Sequence, residues 1–224
     1  TGYEVTRFLA GTRGIFAIAA ELTLKALPLP ERQTVLVGQF PEKGDPVSAL
    51  SGIEATGGVV KTCELLAEGG LGGKTLIAIG LEGMEPMVMK GAGTIREFLE
   101  RAGTVTVRED TPEEFTRFRR EAAQRMVQAG FLTLQASPAG SIALLRGIGT
   151  LFPQMPVIAH PQMGRLHMTA GEKEAAVLRE KTLAVGGKEP SAWNRIAREG
   201  LADLFTPPEL AIASTLKREL DPDG

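Results

Sequence analysis

Cysteine, histidine, tryptophan and tyrosine are nearly missing from this chain. Its 224 residues include one cysteine, two histidines, one tryptophan and one tyrosine. The single cysteine, Cys63, excludes an internal disulfide and fits a reducing, cytoplasmic setting. It sits in the mostly apolar run Val59 to Ala67, which reads as a buried inert thiol, because a reactive cysteine needs a polar, electropositive setting. Two histidines alone make a poor zinc site, which takes four protein donors, or three and a water. Excess charge of either sign is also missing. Lys+Arg 25 against Asp+Glu 27 leaves a net charge of −2, without the clustered base of a nucleic-acid footprint, so no nucleic acid is expected as a partner. No apolar run approaches the roughly 18 residues that would suggest a membrane span. What remains is ordinary for a globular α+β protein, with 43% hydrophobic and 23% charged residues.

From Gln33 the pattern alternates strands and helices. Gln33 to Phe40 reads as a strand rich in Val and Leu. Asp45-Pro46 opens a helix, with Asp as N-cap and Pro at the first helical position, and Gly57-Gly58 closes it. Val59 to Leu66 and Lys74 to Glu82 are strands joined by a turn, Gly69 to Gly73. That turn lacks a P-loop pattern, and Gly73-Lys74-Thr75 enters a strand rather than a helix. Lys74 to Glu82 is apolar on both faces and should be central. Met84 to Ala102 is a long helix offering Met87, Ile95, Phe98 and Leu99 for burial, with Gly91 and Gly93 as a candidate kink. Thr104 to Arg108 completes β-α-β-β-α-β, the ferredoxin-like order. It predicts an antiparallel sheet with helices on one face.

Thr111-Pro112-Glu113-Glu114 caps a further helix, where Phe115, Phe118, Ala122, Met126 and Ala129 form one stripe. Arg117, Arg119, Arg120 and Arg125 make it basic. Either these form a solvated face or one turns inward to clamp a carboxylate, which the guanidinium fork suits. Phe131 to Ala136 reads as a strand, Gly140 to Phe152 and Glu172 to Ala184 as helices, and Pro190 to Gly200 as another helix.

Both histidines fall in Val157-Ile158-Ala159-His160-Pro161-Gln162-Met163-Gly164-Arg165-Leu166-His167-Met168. A turn at Pro161 to Gly164 would make the flanks a hairpin with His160 opposite Arg165. Strand alternation then puts His160, Arg165 and His167 on one face, the imidazoles diagonal neighbours about 7 Å apart at Cβ. The Arg165 charge would repel a cation there, so no metal is expected.

The opening residues add a different signal. Gly11-Thr12-Arg13-Gly14 precedes the apolar run Ile15 to Ala20, Glu21 to Leu27 alternates, and Pro28 and Pro30 end the stretch. Glycines before a strand permit close backbone approach, or mark an ordinary turn. The order of residues is more specific. Gly2-Tyr3-Glu4, then Gly11-Thr12-Arg13-Gly14-Ile15-Phe16-Ala17-Ile18, then Leu27-Pro28-Leu29-Pro30 resembles the end of the FAD-binding domain in FAD-linked oxidases, among them glycolate oxidase FAD-binding subunits and D-lactate dehydrogenases. The chain departs from that pattern at Glu4, Thr12, Ile15, Phe16 and Ala17. Leu216-Lys217-Arg218-Glu219-Leu220-Asp221-Pro222-Asp223-Gly224 resembles a segment near that family's C-terminus. His160, Gly164, Leu166 and His167 match its metal-binding Gly-His-x-Gly-Asp-Gly-Asn-Leu-His, while Ala159, Met163 and Arg165 replace the Gly, Asp and Asn.

The resemblance implies three parts: residues 1–30 as the edge of an FAD-binding domain, 31–188 as a substrate (cap) domain, and 189–224 as helices returning to the FAD domain. It implies oxidation of a small 2-hydroxy acid such as glycolate or D-lactate. Arg119 or Arg120 would hold the carboxylate, and His160 or His167 would act as base or residual ligand. Gly11, Thr12, Gly14 and Ile15 would approach the cofactor. The pyrophosphate-binding part of that domain would precede residue 1. FAD is therefore expected in the full-length protein and not in this chain alone, and the missing FAD-domain half or a partner subunit is an expected partner. The alternative is a non-catalytic assembly domain or accessory subunit of a flavoprotein complex. With strand partners absent, residues 1–30 would offer a pairing edge and a homodimer contact.

Overall fold

The computed structural model describes residues 20–26, 28–42, 44–53, 59–128 and 132–192, with Leu9, Thr215 and Arg218. The chain divides into two compact units, 29–194 and a second formed by 1–28 with 195–224; nearly all described residues belong to the first.

That unit repeats one motif. β1 (Arg32–Phe40), α1 (Pro46–Ile53), β2 (Val60–Ala67), β3 (Thr75–Gly83), α2 (Glu85–Arg101) and β4 (Thr106–Asp110) form the first β-α-β-β-α-β run. After the connecting helix α3 (Pro112–Gln128) comes a second: β5 (Leu132–Gln135), α4 (Pro138–Leu151), β6 (Val157–His160), β7 (Arg165–Met168), α5 (Glu172–Ala184) and β8 (Lys188–Ala192). The strand order is β4-β1-β3-β2-β6-β7-β5-β8, with every pair antiparallel. Each half has the ferredoxin-like order 4-1-3-2. The halves join edge to edge where β2 meets β6, at Leu65↔Ala159, Leu66↔Ile158 and Ala67↔Val157. The edges that two separate four-stranded sheets would expose are thereby paired. The first helices of the two halves, α1 and α4, pack against each other.

Local signals account for the first half. Asp45 Oδ1 accepts from the Ser48 amide at 2.9 Å and starts α1. β3 is interior, its Ile77, Ile79 and Leu81 facing one side and Ala78 the other, all buried. The main core lies between the sheet and α1, α2, α4 and α5. Leu36, Phe40, Leu65, Ile77, Leu99, Leu134, Leu145 and Leu166, together with Cys63, belong to it.

Four expectations need correction. The helices are not confined to one face: α3 lies on the opposite side, its Phe115 and Ala122 packed with Val35, Val37, Leu66, Ala78 and Ile158. Those strand residues alternate with the ones in the main core, so strand geometry puts them on the other face. In α2, Met87 is 48% exposed while Val88, Ile95 and Leu99 are buried. These three are spaced seven and four residues apart, one helix face, and Met87 lies one residue off it. The helix runs continuously through Gly91, where a Cβ would strike the Val59 side chain, so this glycine serves close approach rather than a kink. Finally, 190–192 belong to strand β8, not a helix. Pro190 falls at the register shift between Thr133 and Gln135, on the edge of the sheet, where a missing N–H is tolerated. Residues 193–200 lie outside those described. No helix among the described residues is long and apolar enough to cross a membrane.

Candidate functional site

α3 covers the sheet from β1 across to Ile158 on β6. Next to this cover, the same face turns polar. One step beyond Leu65↔Ala159 the register places Glu64 beside His160; His160 pairs with Arg165, Arg165 with Gln135, and Gln135 with Lys188. A transverse row thus crosses five strands. In the next row Ile158 pairs with His167 and His167 with Thr133. The hairpin expected at Pro161 to Gly164 is present: a single 3-10 turn, Pro161–Met163, then Gly164 at φ 64°. His160 and His167 share a face with ring centroids 5.7 Å apart, edge to face.

Glu64 organises this row, and its burial is what makes it unusual. It is 4% exposed on an otherwise apolar strand end. Its Oε1 accepts a hydrogen bond from Arg119 Nη1 at 2.8 Å and lies 3.7 Å from His160 Nδ1. Its Oε2 is buried without a hydrogen-bond partner among the described residues. Arg119 reaches it because Phe115, Arg119 and Ala122 lie at helical spacing on the sheet-facing side of α3. Arg120, one residue on, is exposed. Of the two arginines left open by the sequence, Arg119 therefore enters the row, but its charge is matched by Glu64. Arg165 is held differently. Its Nε donates to Gln135 Oε1 at 2.9 Å, and Gln135 Nε2 donates to the Met163 carbonyl at 2.9 Å. Among the described residues no carboxylate forms a salt bridge with Arg165.

Both imidazoles are held neutral. Burial lowers the His160 pKa; Arg119 and Arg165 push it the same way, and Glu64 opposes them. Burial, then His160 and Arg165, lower His167 to about 4. His167 Nδ1 lies 3.0 Å from Thr133 Oγ1. In the unfolded chain His167 would titrate near 6.5, so between pH 6.5 and 4 the unfolded state binds the extra proton. Its contribution to stability is full above pH 6.5 and is lost as pH falls through 4. The full shift would correspond to about 3 kcal/mol, and partial exposure reduces this to about 2 kcal/mol. Urea unfolding at pH 7 and pH 4.5 should show this loss in the wild type and a smaller one in His167→Gln. Equal losses would assign the acid sensitivity elsewhere.

The remaining expected residues, Gly11, Thr12, Gly14 and Ile15, lie outside those described. Among the described residues no group of three or more His, Cys, Asp or Glu side chains is placed to hold a metal ion. Glu64, which sequence reasoning missed, carried one signal: a lone carboxylate inside the apolar run Val59 to Ala67.

No family profile matches the chain, and no curated protein matches its sequence. Solved structures do match. Two structures of an alkyldihydroxyacetonephosphate synthase superpose with a TM-score of 0.61, at 14% and 13% identity, over 99% of this chain and 48% of theirs. A VAO-type flavoprotein from Myceliophthora thermophila C1 covers 85% of this chain and 45% of its own at TM-score 0.42 and 15% identity. At such identities the likeness to the synthase is one of fold. The chain spans about half the length of these structures.

Proposed function

We propose that this chain is the C-terminal part of an FAD-dependent oxidoreductase acting on a small 2-hydroxy acid such as glycolate or D-lactate, and that the polar face of its sheet is the substrate surface. The observation that supports this best is the juxtaposition of two neutral imidazoles with a guanidinium that has no carboxylate salt-bridge partner among the described residues. A 2-hydroxy acid needs a cation for its carboxylate and a base for its hydroxyl. Arg165 offers the first, fixed at Nε with its terminal donors directed by the Gln135 brace. Arg119 belongs to the same site but carries no surplus charge, because Glu64 neutralises it. His160 offers the base: it is unprotonated at neutral pH and adjoins Arg165 in the register. The described residues fit substrate binding rather than cofactor binding, and Gly11, Thr12, Gly14 and Ile15 remain the candidates to approach FAD. The flavin, when bound, supplies the hydride acceptor.

The sequence resemblance to FAD-linked oxidases supports the oxidoreductase reading; the substrate class rests on that resemblance and on the site's chemistry. A second reading, an assembly domain of a flavoprotein complex, draws on a different observation. Leu22 and Leu24 are 70% and 82% exposed in an alternating stretch without regular secondary structure, an apolar segment suited to a partner or a second copy. One experiment separates the two. Full-length protein loaded with flavin and mixed anaerobically with D-lactate or glycolate should lose its visible flavin absorbance. Full-length protein that takes up flavin and keeps full absorbance with both acids would refute the substrate assignment, and full-length protein that takes up none would favour the assembly reading.

A further inference from the structure

The buried Glu64 has more hydrogen-bonding capacity than Arg119 uses. An ionised carboxylate accepts up to about four hydrogen bonds. Among the described residues Glu64 receives one side-chain donor, at Oε1, while Oε2 is enclosed without a hydrogen-bond partner. Leaving a buried acceptor unpaired is costly, so such an atom in a native structure calls for an explanation. Beyond Arg119, Glu64 also faces His160, whose Nδ1 stands 3.7 Å from Oε1. That is too long for a hydrogen bond, yet a small rotation of either side chain would close it, and apo geometry in catalytic pairs is commonly loose. Glu64 is pinned from the other side by Arg119. The imidazole is confined too, between Glu64 on β2, Arg165 and His167 on β7, and Arg119 from α3.

We infer that Glu64 is a positioning residue for His160: its carboxylate selects the tautomer with the proton on Nδ1, turned toward Glu64, and leaves Nε2 as the unprotonated acceptor facing the open side of the sheet. Arg119 holds Glu64 in place for this task. The assignment deepens the oxidoreductase reading, since it names what makes His160 a base, but its physical content does not depend on the substrate. Four charged or titratable groups face His160. Glu64 favours its protonated form, Arg119 and Arg165 disfavour it, and the neutral His167 lies edge-on.

With only two histidines in the chain, imidazole nitrogen NMR reads each directly. In the wild type at neutral pH, His160 should show a protonated Nδ1 and a bare Nε2. Glu64→Gln should lower the His160 midpoint by on the order of one pH unit and blur the tautomer preference. Arg119→Gln should move the midpoint the opposite way, because it removes a repelling charge. That variant keeps the test decisive if Glu64→Gln fails to fold. The His167 midpoint should stay nearly fixed in both. A wild-type His160 with its proton on Nε2, or midpoints unmoved by both substitutions, would overturn the inference. Flavin reduction by D-lactate in the flavin-loaded full-length protein supplies the separate arm. Glu64→Gln should lower kcat about tenfold or more with KM nearly constant. Should NMR give the expected shifts while the wild type reduces no flavin, the positioning role stands and the substrate reading fails.

Discussion

Gly164→Ala should unfold or nearly unfold the second half of the sheet. Gly164 ends the turn between β6 and β7 at φ 64°, a conformation that costs an L-residue roughly 1 kcal/mol or more. Space is the greater obstacle. A Cβ there would run into the carbonyl oxygen of Ala136, and this is backbone that no rotamer change can move. The same segment is tied by two short bonds, Gly164 N to the Pro161 carbonyl at 2.9 Å and Ala136 N to the Gly164 carbonyl at 2.8 Å. Relieving the clash means pulling β5 away from the hairpin, which would break the Gln135–Arg165 and Thr133–His167 pairings as well. We expect a loss of about 3 to 4 kcal/mol, out of the 5 to 15 kcal/mol typical of a domain. Gly147→Ala in α4 is the control. A Cβ there meets nothing within 4 Å, and helix propensity predicts stabilisation by up to about 1 kcal/mol. Urea midpoints of the two variants should therefore move in opposite directions. A Gly164→Ala midpoint within error of the wild type would mean that the turn is built differently.

What was legible in the sequence followed from signals complete within a few residues. Asp45-Pro46 carries its own cap, and the glycines between β2 and β3 announce a turn. His160 and His167 share a face because strand period is two and a compact turn fixes the register. The second half was legible element by element but not as a repeat. Its strands β5, β6 and β7 have only four residues each. Its last strand contains Pro190, which resembles a helix start as much as a strand edge. Without β8 the second β-α-β-β-α-β order is incomplete, and the joining of β2 to β6 depends on contacts that no local pattern encodes.

The site was half legible for a related reason. The choice between Arg119 and Arg120 was contained in the periodicity. Phe115, Phe118 and Ala122 define the buried stripe, and Arg119 stands four residues after Phe115 and three before Ala122, while Arg120 is turned about 100° further round. Glu64 was hidden by its neighbours. A strand read as mostly apolar leaves one carboxylate unexplained, and that residue should have prompted the search for a cation. A buried acid on an interior strand and a basic helix elsewhere in the chain are complementary halves of one interaction, and only the tertiary fold brings them together.

Replacing His160 by Asn should cost more activity than any other single change. If His160 takes the hydroxyl proton, its loss should reduce the rate of flavin reduction by 2-hydroxy acids about 10²- to 10⁴-fold. The pH dependence gives the sharper test. The base works only unprotonated, so activity falls when pH drops through the His160 pKa in the free protein. Burial lowers that pKa, Arg119 and Arg165 lower it further, and Glu64 pulls it partly back. The acid limb of kcat/KM should therefore have its midpoint below 6.5, with a plateau through neutrality. The limb should vanish in His160→Asn along with most of the rate. His167 does not compete for this assignment at neutral pH, because its own transition lies near 4 and its Nδ1 is engaged with Thr133. Arg165→Gln should behave differently from both. It removes the cation for the substrate carboxylate, so KM should rise, while loss of its repulsion should move the acid limb upward. A limb above 6.5 in the wild type, or a His160→Asn variant within about threefold of wild-type rate, would move the base to another residue.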